Sequence, residues 1–67
     1  MTFVARFTDS PPRRPRYLRV RGVACVWTHR LDEATKWDLR PSREHLSRRV
    51  GHDQIEAEPT PDWGYFT

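Results

Sequence analysis

The sequence holds a single cysteine, Cys25, among its 67 residues. An internal disulfide and a cysteine-based zinc framework are therefore excluded, and cysteine usage gives no sign of an oxidising compartment. Long apolar runs are missing as well. None approaches the ~20 residues of a membrane-spanning helix, and the stretch "MTFVARFTD" has no apolar signal-peptide core. The expectation is a soluble, cytoplasmic domain with no membrane partner. No Gly-rich phosphate loop occurs, and no nucleophile stands beside a base in the sequence, so nothing points to an enzyme. Cys25 sits mid-strand and reads as a small buried apolar side chain. His29, His45 and His52, taken with Cys25, match no compact zinc spacing, so neither a metal nor a cofactor is expected.

The chain is short as well. A domain near this size buries only about 60 % of the surface its unfolded form exposes. Three tryptophans, two tyrosines and three phenylalanines compensate, since each buries a large area. Charge is unevenly spread. Residues 1–30 carry seven arginines against Asp9 alone, whereas residues 51–67 carry Asp53, Glu56, Glu58 and Asp62 and no cation other than histidine. Such a chain can present a basic face and an acidic edge together.

Alternation predicts the strands. In "TFVARFT", residues 2–8, Phe3, Ala5 and Phe7 share one face and Val4 and Arg6 the other. "RYLRVRG" repeats the pattern, with Leu18 and Val20 on one face and Tyr17, Arg19 and Arg21 on the other. Gly22 permits a tight turn into "VACVWT", residues 23–28, although no Asn-Gly pair fixes the register. Leu31, Ala34 and Trp37 suggest a short helical turn. A longer helix follows, capped by Asp38 or Ser42, with Leu39, Leu46 and Val50 on its apolar stripe and Gly51 as its stop. "DQIEAEP" closes the pattern as a strand with Ile55 and Ala57 inward. The expected fold is α+β: one domain over 1–67, in the order β-β-β-α-β, with a small antiparallel sheet of three or four strands packed by one helix. Its expected core is Phe3, Phe7, Leu18, Val20, Trp27, Leu46, Val50 and Ile55.

Two segments stand outside this frame. Residues 9–15 form a Pro- and Arg-rich connector, and residues 59–67 form a tail ending in aromatics. Arg13, Arg14 and Arg16 on the connector, with Arg19 and Arg21 on the strand, suggest a surface for nucleic acid. Two arginines at strand spacing sit about 7 Å apart, close to the spacing of successive phosphates on one strand. Tyr17, on the same face, is placed to stack a base. The same arginines suit a protein interface equally well, and Glu56 and Glu58 would repel phosphate from a neighbouring strand. Trp63, Tyr65 and Phe66 either fold back over the sheet or anchor a partner.

From Arg16 to Glu58 the chain resembles a recurring type of small phage and mobile-element protein. The resemblance lies in a hairpin ending in Trp27-Thr28, in Leu31 and Ala34, in the pair Trp37-Asp38 before the helix, and in a closing strand of alternating acids. The helix start "RPSREH", the Pro-Arg arm and the aromatic tail depart from that type. The resemblance implies an accessory protein that inhibits a host system, anti-CRISPR proteins being among such chains. The expected partner is a host protein or ribonucleoprotein complex, and DNA or RNA is the alternative.

Overall fold

The computed structural model describes residues 1–61. Trp63, Tyr65 and Phe66 lie outside the described residues. The fold is α+β, with elements in the expected order: β1 (Phe3–Phe7), β2 (Tyr17–Arg21), β3 (Ala24–Thr28), a 3-10 turn (Leu31–Glu33), α1 (Arg43–Val50) and β4 (Ile55–Pro59). The strands form one four-stranded antiparallel sheet in the order β3-β2-β1-β4. Pro59, where the expected strand "DQIEAEP" and the tail meet, ends β4 opposite Phe3.

The β2–β3 hairpin closes at Arg21↔Ala24 through Gly22-Val23. Gly22 has φ 61° and Val23 is not left-handed, the pattern of a type II′ turn, whose twist matches that of the strands. Ser42 caps α1: its Oγ accepts from the His45 N–H at 3.1 Å. Gly51 ends the helix at φ 83°. Asp38 is not the cap, and Leu39 is no part of the stripe. Pro41 separates Leu39 from the helix and leaves it 84 % exposed.

The helix packs against β4. Beneath it Leu46 joins Ala5, Phe7, Leu18, Ile55 and Ala57 in the main core, with Val20, Cys25, Trp37 and Val50 partly buried around them. Trp27 is not a core residue: it is 54 % exposed, because β3 lies at the sheet edge farthest from β4 and the helix. The opposite sheet face is covered too. Val4, Tyr17, Leu31 and Ala34 make a second, smaller cluster there.

That second cluster depends on a wedge. β1 and β2 pair only at Arg6↔Tyr17 and then diverge. Residues 35–37 fill the gap. The Thr35 N–H donates to the Leu18 carbonyl at 3.1 Å, and Phe3 and Trp37 pair as an isolated antiparallel bridge. Lys36 Nζ donates to the carbonyls of Leu31 and Ala34 and holds the turn shut.

Candidate binding surface

The structure separates the arginines that the sequence groups together. Arg13 and Arg14 are exposed on a turn in which the Arg14 N–H donates to the Pro11 carbonyl at 3.1 Å. Arg21 is exposed at the hairpin tip. Arg19 is half-buried, with its guanidinium 3.9 Å from the Glu33 carboxylate. Arg16 is drawn to the helix side of the sheet. Its guanidinium lies 5.9 Å from the Phe7 ring centre and 5.6 Å from that of Trp27, and it donates to Asp9 at 3.1 Å. Its Nε is buried with no partner among the described residues.

Tyr17 is not available to stack a base. It is 1 % exposed, packed under Leu31 and Ala34. Burial raises its phenol pKa above the ordinary value, the Glu58 carboxylate raises it further, and Arg6 opposes them. The stacking role expected of Tyr17 fails because its face of the sheet is covered by the 3-10 turn, a layer that strand alternation does not reveal.

The acids of β4 lie across the sheet from β3, with β1 and β2 between. Glu58 is engaged by Arg6, Nε to Oε2 at 3.2 Å, and Glu56 sits opposite Arg6 in the register. Among the described residues, no three His, Cys, Asp or Glu side chains gather where a metal ion could be held. No helix among them is long and apolar enough to cross a membrane.

What the structure adds is an apolar strip on β3 and its turn. Val23, Val26 and Trp27 are all exposed. On the helix side of this strip lies a groove of about 300 Å³ between Phe7, Leu18, Cys25 and Trp27 on the sheet and Val50 and Arg49 on the helix, with His52 at its end. Cys25 is only partly buried in it. His29 packs edge-on against Trp27 with ring centres 5.0 Å apart, and His52 tilts over Phe7 at 5.5 Å. Imidazole and guanidinium groups thus border the rings of Phe7 and Trp27. The strip's one sequence signal is that "VACVWT" carries no charge at all. Its exposure follows from strand order, which the sequence does not state. No family model, curated protein or solved structure matches the chain.

Proposed function

We propose that this chain is a non-enzymatic binding protein of a phage or mobile element, acting in the cytoplasm by covering a surface of a host protein or ribonucleoprotein complex. Inhibition of CRISPR interference is the specific form of this reading. The observation that supports it is the exposed Val23–Val26–Trp27 strip beside the exposed arginine Arg21. An aromatic anchor within an apolar patch, rimmed by arginine, has the composition of protein interfaces rather than of solvated surface.

Nucleic acid is the second reading, carried by Arg13, Arg14 and Arg21. All three are exposed, and none forms an ion pair with another described residue. Three features weigh against it: Tyr17 is buried, Arg19 faces Glu33 and Arg16 is spent on aromatic rings. The test is a phage-plating assay in cells carrying an active CRISPR system, with and without the chain, beside a mobility-shift assay on random DNA and RNA at low salt. Restored plating that Trp27→Ala abolishes supports the first reading. Tight, salt-sensitive binding of random nucleic acid that is lost on replacing the three arginines replaces it with the second.

A further inference from the structure

The two edges of the sheet are unlike. On β4, Glu56 and Glu58 bring charge, Pro59 has no N–H, and Arg40 Nη2 donates to the Ala57 carbonyl at 3.0 Å. Charge, proline and a covering side chain are the usual guards of an exposed edge. Among the described residues β3 has none of them: its sequence is Ala-Cys-Val-Trp-Thr.

The open backbone groups on β3 can be assigned. The Leu18 carbonyl accepts from Thr35 and the Val20 N–H donates to Thr35 Oγ1, so these β2 residues face away from β3. Tyr17, Arg19 and Arg21 therefore make the hydrogen-bonded pairs with Thr28, Val26 and Ala24. Cys25 and Trp27 sit in the alternate pairs and direct their N–H and C=O groups outward. They form no other backbone hydrogen bond among the described residues.

Charge decides what fits there. On the helix side the strip is flanked by Arg16 and Arg49, and on the other side by Arg19, Arg21 and Arg30. The nearby acids are already engaged: Asp9 by Arg16, Asp32 by Arg30, and Glu33 by Arg19 and Arg30. Arg21 lies opposite Ala24, a side chain too small to block its reach over β3. A second copy of this chain would bring its own arginines to that face, so charge disfavours self-pairing.

We infer that the β3 edge takes an extended acidic segment of a partner protein as a fifth strand, its apolar residues entering the groove beside Trp27 and its carboxylates meeting Arg21. This rests on reading the chain as a protein-binding protein and names how it binds. Main-chain bonds to Cys25 and Trp27 supply affinity, and the alternating side chains supply selectivity.

The experiment uses the full chain and a displayed library of random nine-residue peptides. Selection should enrich sequences that alternate apolar and acidic residues. A synthetic peptide of the enriched sequence should slow amide exchange at Cys25 and Trp27 by roughly tenfold or more, while Ala24, Val26 and Thr28 are slow with or without it. Cys25→Pro removes an outward N–H without touching the ladder to β2, and should abolish binding while the melt remains cooperative. Should that variant not fold, Val26→Asp tests the same edge by charge and should weaken binding. The inference is overturned by an empty selection, by basic or patternless binders, or by binders indifferent to both variants. It is equally overturned if Cys25 and Trp27 exchange slowly in the free protein, independently of concentration when the chain fills its own edge and with concentration when a second copy does. If the selection fails but restored plating survives Cys25→Pro, the inference falls and the binding function stands.

Discussion

Phe3 and Trp37 exchange both backbone hydrogen bonds, 2.8 Å from Phe3 N to Trp37 O and 2.9 Å in return. This single bridge closes the gap that β1 and β2 leave on parting after Arg6↔Tyr17. It also carries the chain across the sheet so that Leu31 and Ala34 lie over Val4 and Tyr17. The fold thus has two thin cores on either side of one sheet, which suits a chain too short for one thick core.

The wedge can be tested at Thr35, whose Oγ1 accepts the Val20 N–H at 2.8 Å. Thr35→Val keeps the shape and strands a part-buried donor, so a loss of about 1–3 kcal/mol is expected in urea unfolding. Thr35→Ser should recover most of it. A loss from Thr35→Ser with little from Thr35→Val would assign the cost to packing of the methyl group instead.

The two cores set a ranking for truncation. Leu46 is fully buried between the helix and the sheet, and Leu46→Ala should cost about 2–5 kcal/mol, much of a small domain's stability. Trp27→Ala removes a half-exposed ring and should cost clearly less while lowering exposed apolar area, which dye binding reports. A Trp27→Ala protein that unfolds while Leu46→Ala melts normally would reverse the placement of the core.

The helix ends give a third check. Ser42→Ala removes the oxygen that accepts from His45 and should lower stability by about 0.5–2 kcal/mol. Gly51→Ala has open space for its Cβ but must adopt φ 83°, so its cost is conformational, about 1 kcal/mol. A stabilised Gly51→Ala would show that the C-terminal turn is not left-handed in solution.

Strand alternation made the five elements and their order legible, because period two and the 3.6-residue period differ over even these short windows. Ser42, Gly51 and Gly22 punctuate as their chemistry demands. Periodicity says which residues share a face, not which face is covered, so Tyr17 read as an exposed partner of Arg19 although it is buried. Nor does it rank strands by position in the sheet. Trp27 alternates like a core residue, and only the order β3-β2-β1-β4 places it on an edge strand. Arg16 looked like a member of the connector's charge cluster, yet the parity that puts it on Leu18's side brings it over Phe7 and Trp27.

Tyr17 makes stability depend on pH. Its folded pKa is raised, by burial first and Glu58 second, above the ordinary value near 10. The folded state therefore holds the phenolic proton longer than the unfolded chain does. Stability from this group is complete below about pH 10 and declines as pH rises from there through the folded pKa. Urea melts across that range should fall for the parent and stay flatter for Tyr17→Phe. Tyr65 is common to both proteins and cancels in the comparison. Parallel declines would show that Tyr17 is not the group responsible.

The arginines of the opening segments should divide by environment rather than by position in the sequence. Arg13, Arg14 and Arg21 are exposed and unpaired among the described residues, so replacing all three with alanine should alter stability by no more than about 0.5 kcal/mol per site. Arg16 covers two aromatic rings and holds Asp9, so Arg16→Ala should cost about 1–2 kcal/mol through lost stem packing and cation–π attraction. Arg16→Lys keeps the charge but not the planar contact and should recover only part of that loss. Partner binding should show a different order. Arg21, beside the β3 edge, should outweigh Arg13 and Arg14, and added salt should slow association more than it speeds release. Equal effects of Arg13, Arg14 and Arg21 on affinity, each lowering the log–log salt slope by about one, would instead be the behaviour of a phosphate-tracking surface.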